Sequence, residues 1–313
     1  MDLQVESIKF EYTDLTEGSR GEQAYMNIIF DCDNTFGVKG CDVDDGLALL
    51  YLLGSDKANL LGITNTYGNS DIETVYTATH KMLEDIGRTD IPHYKGCPRP
   101  GEKQSEAVDF LVDMVNQYAE NVSIIATGSL TNLYGACQKD EDFLNKINSI
   151  SLMGGLTDHL YINDTILDEL NFSCDPAAAF QVLTKSRKVG IATGNNCLGA
   201  FFSYKDHVNR FQVSPEPIAR YLYEKTAYWY EHNMTSYGLD GFYNWDVTAA
   251  AYLLDPELFE SNKMAITPDL ESLKSGFLNG RGKEILIDLP NIRDQKQFQE
   301  KVYSNYMKVK IKV

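Results

Sequence analysis

Short apolar runs alternate with amphipathic segments along most of this chain, and that alternation predicts its fold. Runs with the length of buried strands lie at 26–30, 59–66, 91–94, 122–126, 147–153 and 189–193. Segments with helical periodicity lie between them, at 46–53, 71–87, 105–119, 132–138 and 175–184. Regular alternation of this kind is typical of a parallel sheet with right-handed crossovers. The sequence therefore predicts an α/β protein with a mainly parallel central sheet flanked by helices.

The rest of the chain is expected to join the same unit. Strands are predicted at 263–267 and 284–289, and a closing helix at 295–305. Residues 1–25 are polar and irregular, which indicates a lead-in or a loose strand. The sequence shows no linker, repeat or low-complexity segment, so we predict one domain over 1–313.

A dense group of carboxylates follows the first apolar run. Asp31 and Asp33 come at the end of the predicted strand, and Asp42, Asp44 and Asp45 open the next helix. An Asp at a helix N-terminus is ordinary, which explains Asp42 or Asp44 but not the pair at the strand end. Five carboxylates within fifteen residues repel one another unless a cation lies among them. Because oxygen-only ligands suit Ca²⁺ or Mg²⁺ better than zinc, we predict a bound divalent cation.

Polar or glycine-rich groups also follow the other predicted strands, at 67–69, 127–128 and 154–155. In parallel α/β sheets, ligands bind beyond the carboxyl ends of the strands. The groups are therefore expected to meet the carboxylates at one edge of the sheet.

Charge and composition narrow the possible partners. The formal net charge of −17 argues against nucleic acid or an anionic membrane surface as a partner. The six cysteines show no C-x-x-C pair, so we expect buried thiols in a reducing compartment. No apolar run has the length of a membrane span, and the acidic N-terminal segment lacks signal-peptide features. We therefore expect a cytoplasmic protein.

Over 27–259 the chain resembles the inosine–uridine-type nucleoside hydrolases. That family opens with a strand and D-x-D-P-G-x-D-D, and this chain carries the two halves, Asp31-Cys32-Asp33 and Asp44-Asp45, separated by a longer loop. Further matches follow in the family's order, at 62–69, 126–132, 153–155, 163–171, 175–176 and 246–258. Each motif alone is weak, but six in the correct order are specific.

The resemblance implies a Ca²⁺ site. Its ligands would be the carboxylates of Asp33, Asp45 and Asp246 and the main-chain carbonyl of Thr127. Asp33 would also be the catalytic base that accepts a proton from the attacking water. Asp31 would lie behind these groups and orient a ligand.

The resemblance also implies a ribose pocket and a small-molecule substrate. The residues expected to bind substrate are Asp44, Asn69, Met153, Asn163, Glu169, Asn171 and Trp245. The expected reaction cleaves the N-glycosidic bond of a nucleoside or other ribosylated compound through an oxocarbenium-like state, with inversion. Members of the family suggest a homodimer or homotetramer.

One departure from the family concerns the acid that protonates the leaving base. The family commonly has His directly before its last metal-binding Asp, and this chain has Trp245. His159 and His232 are possible replacement acids. The aromatic segment at 216–243 is either core or a lid over the site, and Trp229 and Trp245 could stack on a base.

Two other functions remain open. The stretch at 28–35 also fits the D-x-D-x-T motif of haloacid dehalogenase-like phosphatases, with Asp31 as nucleophile, Asp33 as acid/base and Mg²⁺ as cofactor. The lost His also allows a non-catalytic ribosyl- or nucleoside-binding protein on the same scaffold.

Overall fold

The computed structural model describes residues 25–311, and the predicted lead-in at 1–25 lies, except for Tyr25, outside them. In chain order the strands are β1 (Met26–Cys32), β2 (Ala58–Asn65), β3 (His93–Lys95), β4 (Val122–Ala126), β5 (Ser149–Met153), β6 (Leu160–Ile162), β7 (Thr165–Leu167), β8 (Val189–Ala192), β9 (Phe201–Ser203), β10 (Gly241–Tyr243), β11 (Phe259–Glu260), β12 (Lys263–Ile266), β13 (Ile285–Asp288) and β14 (Asn291–Ile292). The helices are α1 (Asp44–Leu53), α2 (Ile72–Asp85), α3 (Glu106–Gln117), α4 (Thr131–Lys139), α5 (Pro176–Lys185), α6 (Tyr204–His207), α7 (Pro217–Tyr237), α8 (Trp245–Leu254), α9 (Leu270–Leu273) and α10 (Gln295–Lys308).

Eight strands form the central sheet, in the order β12–β13–β8–β5–β4–β1–β2–β3. Neighbouring strands run parallel throughout, apart from β12, which pairs antiparallel with β13 at one edge. The remaining strands make three small antiparallel pairs, β6–β7, β9–β10 and β11–β14. The prediction of a mainly parallel sheet flanked by helices is confirmed. The single domain over 1–313 stays a prediction.

Both faces of the sheet are covered by apolar side chains of the helices. Ile28 and Phe30 of β1 pack into the core under α1, α7, α8 and α10, while Ile29 packs into the core under α3, α4 and α5. A parallel strand covered on both faces reads as a continuous apolar run, which is why the sequence located these strands well.

The first strand is longer than predicted. It continues through Asp31 and Cys32, because Asp31 pairs with Thr64 of β2 and Ala126 of β4 in the parallel ladder. Asp31 therefore lies inside the sheet, and Asp33 is the carboxylate that emerges beyond its edge. Among the described residues, no helix is long and apolar enough to cross a membrane.

Candidate functional site

The candidate site lies at the carboxyl edge of the sheet, where two helices begin. Asp44 and Asp45 occupy the first turn of α1, and Asp246 occupies the first turn of α8. Because α1 and α8 pack against each other, their N-termini bring these carboxylates together. The partial positive charge at a helix N-terminus favours an anion, but three carboxylates exceed what two dipoles offset.

Four carboxylates form the acidic cluster, which we define as Asp33, Asp44, Asp45 and Asp246. Oxygens of Asp44, Asp45 and Asp246 lie within 4.8 Å of one another, and all four residues are buried. Asn69 connects Asp33 with Asp45: its backbone N–H donates to Asp33 Oδ2 at 2.6 Å, and its Nδ2 lies 3.3 Å from Asp45 Oδ2.

The glycine before Asn69 permits this approach. A Cβ at Gly68 would lie 1.9 Å from Asp33 Oδ2, so any other residue would displace either the backbone or the carboxylate. The Tyr67-Gly68-Asn69 turn is therefore shaped to hold the Asp33 carboxylate.

Electrostatics make this cluster unfavourable without a cation. Burial raises the pKa of Asp33 and of Asp44 to about 6. Burial, reinforced by the neighbouring carboxylates, raises the pKa of Asp45 and Asp246 well above the usual range. Without a cation, carboxyl groups held this close keep protons between them. An all-oxygen donor set of this kind fits a divalent metal, which would take the place of those protons.

Thr127 is a fifth oxygen-bearing residue at the same place. Its Oγ1 donates to Asp45 Oδ1 at 2.7 Å, and its backbone N–H donates to the carbonyl of Asp31 at 2.9 Å. Asn171 Nδ2 donates to the carbonyl of Thr127 at 3.0 Å and to that of Met153 at 3.1 Å. These contacts fix the orientation of the Thr127 carbonyl, the atom that the resemblance implies as a ligand.

Asp31 lies beneath the cluster and has no access to a substrate. Its Oδ2 accepts hydrogen bonds from Thr64 Oγ1 at 2.6 Å and Asn132 Nδ2 at 2.9 Å, and burial raises its pKa to about 7. A phosphatase nucleophile must reach the phosphorus atom, whereas the Asp31 carboxyl is held inside the sheet by Thr64 and Asn132, so it does not fit that role.

A cavity of about 310 Å³ opens beside the acidic cluster, a size suited to a small molecule. Most of the residues predicted to bind substrate line it, together with two of the predicted metal ligands: Asp44, Asn69, Thr127, Met153, Glu169, Asn171, Trp245 and Asp246. The structure thus brings these side chains around one space.

Glu169 lines the cavity, but its carboxylate accepts hydrogen bonds from backbone N–H groups. Its Oε1 accepts the N–H groups of Gly155 at 3.0 Å and Phe172 at 2.8 Å, and its Oε2 accepts that of Ser173 at 2.8 Å. Its visible role is to hold the 154–155 turn against the 169–173 segment and so to shape the cavity.

Asn163 lies outside the cavity in this conformation. It occupies the turn of the β6–β7 hairpin with a left-handed φ of 51°, and its Nδ2 donates to the carbonyl of Tyr237 at 2.7 Å. Because the hairpin turn points to the end of α7, Asn163 joins these two elements and does not reach the acidic cluster.

The aromatic segment forms α7, and it serves as both core and cavity wall. Ile218, Leu222 and Tyr230 are buried on one side, while Trp229 and Tyr237 line the cavity on the other. The long loop before α1 also contacts this helix, since Tyr228 Oη donates to the carbonyl of Cys41 at 3.1 Å.

The two candidate acids do not line the cavity. The His232 ring stacks on Trp229 with centroids 4.7 Å apart, and the exposed His159 ring packs edge-on against Phe277. Sequence reasoning did not assign Asp42, Asp168 and Asn233, which do line it. The position of Asp42, two residues before the Asp44-Asp45 pair, was a sequence signal that it belongs to the site. Asp168 and Asn233 carried no such signal.

Comparison with known proteins identifies the family. Residues 28–299 match the family model described as inosine-uridine preferring nucleoside hydrolase. The chain is 27% identical to the probable uridine nucleosidase 2 of Arabidopsis thaliana over 248 residues, covering 69% of this chain and 76% of the relative. It is 25% identical over 273 residues to the inosine-uridine preferring nucleoside hydrolase of Crithidia fasciculata, covering 78% and 83% of the two chains.

A solved structure supports the same fold. The purine-preferring ribonucleoside hydrolase from Gardnerella vaginalis superposes with a TM-score of 0.76 at 24% identity, covering 90% of this chain and 98% of the other. The family match extends over most of the chain, from β1 into α10. This chain therefore belongs to the inosine-uridine preferring nucleoside hydrolase family.

Proposed function

We propose that the protein hydrolyses the N-glycosidic bond of a ribonucleoside and releases ribose and a free base, with Ca²⁺ as cofactor. The observation that carries the proposal is the acidic cluster, which is buried beside a cavity with no Lys, Arg or His among its described lining residues. Buried carboxylates without an internal counter-charge are typical of a metal or catalytic site.

Asp33, Asp45, Asp246 and the carbonyl of Thr127 are the proposed Ca²⁺ ligands. Several oxygens around one point suit Ca²⁺, which takes six to eight oxygen ligands, some of them water or substrate hydroxyls. When bound there, the ion would acidify water and offset the charge of the cluster.

Asp33 is the proposed general base. It is buried in the acidic cluster beside Asn69, which lines the cavity, so its carboxylate can reach a water held by the proposed ion. The N–H of Asn69 holds Oδ2, which leaves the carboxylate in a fixed orientation to accept a proton from the attacking water.

Asp44 and Asn171 are proposed to bind ribose hydroxyls and to stabilise the oxocarbenium-like sugar. Both line the cavity next to the cluster, and Asn171 Nδ2 is occupied by two carbonyls, which leaves Oδ1 as an acceptor for a hydroxyl. Negative oxygens around the anomeric carbon favour the positive charge that develops there, and water attacks from the face opposite the base.

A reducing-sugar assay with inosine, uridine, adenosine, cytidine and guanosine, run with and without a chelator, tests this function. Chelator-sensitive ribose release is expected from at least one nucleoside, and ribose release that a chelator leaves unchanged would contradict the calcium dependence. Tight nucleoside binding without release, in protein with Ca²⁺ bound, would instead favour the non-catalytic binding protein. Phosphate release from generic phosphate esters would support the phosphatase alternative.

The family resemblance also leads us to propose a homodimer or homotetramer. Light scattering of the purified protein measures this directly, and a monomer at working concentrations would contradict it.

A further inference from the structure

Three of the described residues that line the cavity have aromatic side chains. Trp229 and Tyr237 of α7 and Trp245 at the start of α8 line it, and the Trp245 ring lies 5.2 Å from that of Tyr243. With ribose against the acidic cluster as proposed, these rings supply an aromatic wall for the base in the rest of the cavity. The rings offer π-faces to the base, so a flat aromatic group fits this wall.

The same cavity is rich in carboxyl groups, which ionise when a bound cation takes the place of their protons. Its described lining residues include five carboxylates, Asp42, Asp44, Asp168, Glu169 and Asp246, and none is Lys, Arg or His. A divalent ion would offset part of this charge, but Asp42 and Asp168 are not among its proposed ligands. The formal charge of the whole chain, −17, adds to the same field.

We propose that this site prefers ribonucleosides whose base carries a fixed positive charge, such as N-ribosylpyridinium or N7-alkylated purine ribonucleosides. This inference rests on the proposed N-glycoside hydrolysis and specifies its substrate class. Aromatic rings attract a cation through their negative faces, and the surrounding carboxylates add to that attraction.

A cationic base also removes the need for the missing proton donor. When its C1′–N bond breaks, the bonding electron pair returns to the ring nitrogen and neutralises the ring, so no proton is required. The oxygen of water forms the new bond to C1′, and Asp33 takes one water proton and passes it to solvent. The balanced products are ribose, a neutral base and one proton, whereas a neutral nucleoside consumes that proton on its leaving base.

Paired turnover is the first test, with 7-methylguanosine and guanosine as substrates that differ by a methyl group and a charge. The pH is kept where the methylated ring retains its charge. We expect the methylated nucleoside to have a kcat/KM at least about tenfold higher. Equal or faster turnover of guanosine would overturn the inference while leaving the proposed hydrolysis intact.

N7-methylation by itself weakens the glycosidic bond, so faster turnover alone does not show a preference of the site. A second test therefore compares the binding of a cationic and a neutral ring. Both tryptophans of the chain line the cavity, so intrinsic fluorescence reports on this site. We expect 1-methylnicotinamide to quench it saturably with an affinity about tenfold tighter than that of neutral nicotinamide. Equal affinities would overturn the inference even if both nucleosides are hydrolysed. Selective cation binding without ribose release from any nucleoside would contradict the proposed hydrolysis, and only the preference of the cavity for cationic rings would stand.

Substitutions at Trp245 separate the aromatic contribution from general damage. Trp245→Phe keeps a ring and should retain the cation preference, while Trp245→Leu should lose most of it. Trp245→His adds an imidazole donor, so the ratio of 7-methylguanosine to guanosine turnover should fall about tenfold as guanosine gains. An unchanged ratio in both Trp245→Leu and Trp245→His would contradict the assignment.

Discussion

Two buried acidic sites lie at opposite ends of α1 and α8, and they differ in how their charge is compensated. The acidic cluster gathers at the N-termini of both helices, and Asp255 follows the C-terminus of α8, about 15 Å away for a ten-residue helix. Lys57 Nζ lies 2.7 Å and Lys301 Nζ 3.1 Å from Asp255 Oδ1, and Tyr51 of α1 donates to Oδ2.

The pKa values of the two sites move in opposite directions. Burial alone would raise the pKa of Asp255, but the hydrogen bonds and charges of Lys57 and Lys301 hold it below its usual range. In the acidic cluster, burial and mutual repulsion raise the pKa of Asp45 and Asp246. Burial of a carboxylate therefore does not by itself mark a functional site, whereas burial without a counter-charge from the chain does.

The largest expected effect is on turnover, through Asp33→Asn. Removing the proposed base should lower kcat for ribose release by about 10²–10⁴-fold, while the metal-free protein should be no less stable because one repulsive charge is gone. Steady-state kinetics and urea unfolding measure the two properties. A variant with wild-type turnover would contradict the assignment of Asp33.

The matched substitution at Asp255 should lower stability and leave turnover unchanged. Asp255→Asn leaves Lys57 and Lys301 without their buried partner and should lower the free energy of unfolding by about 2–3 kcal/mol. This is less than for a fully buried pair because both lysine side chains are about one third exposed. Ribose release below the unfolding temperature should stay near wild type. A large loss of kcat with unchanged stability would contradict the contrast between the sites.

A third prediction concerns pH and Ca²⁺. In metal-free protein, Asp33 and Asp44 have folded-state pKa values near 6, above their unfolded values near 4. The free energy of unfolding should therefore fall as pH rises from about 4 to 7, because these carboxylates ionise less readily in the folded state. Asp255 has the opposite sign, since its stabilisation is lost as pH falls through its lowered pKa.

Saturating Ca²⁺ should restore the free energy of unfolding that the metal-free protein loses at neutral pH. A ligand at about a hundred times its dissociation constant stabilises by roughly 2.7 kcal/mol. Urea unfolding over a pH series, with and without Ca²⁺, measures the difference. Identical pH profiles in the two conditions would mean that the cluster does not bind the ion.

The smallest expected effect is that of Asp42→Asn. Asp42 lines the cavity and is partly exposed, so its charge attracts the ion without serving as a proposed ligand. Ca²⁺ affinity measured by calorimetry should fall about two- to fivefold, the range of an exposed charge pair. Asp288→Asn, at the amino end of the sheet, is the distant control and should leave affinity unchanged. A loss of more than a hundredfold would make Asp42 a ligand.

Most of the fold could be predicted because its strands are buried on both faces. The apolar run at 122–126 became β4 without a change of bounds, and the run at 26–30 fell short only where Asp31 continues the ladder. The β6–β7 hairpin could not be predicted, since strands of three residues carry too little periodicity.

The residues of the site could be predicted where local sequence features position them, and could not where contacts between distant segments do. Asp33, Asp44 and Asp45 could be located because strand ends and helix starts are local features. The position of Asn163 depends on where a hairpin turn meets α7, and the use of Glu169 depends on the 154–155 turn, whose Gly155 N–H it accepts. Neither contact leaves a signal near the residue in sequence.

The most direct test of the central claim is a stepwise Ca²⁺ titration of chelator-treated protein, with bound metal and ribose release measured in the same sample. We predict no release in the metal-free protein, then release that rises in proportion to bound Ca²⁺ and reaches its plateau at a single ion per chain. Full turnover without metal, or a bound ion without ribose release from any nucleoside, would contradict the claim that the acidic cluster is a calcium-dependent hydrolytic centre.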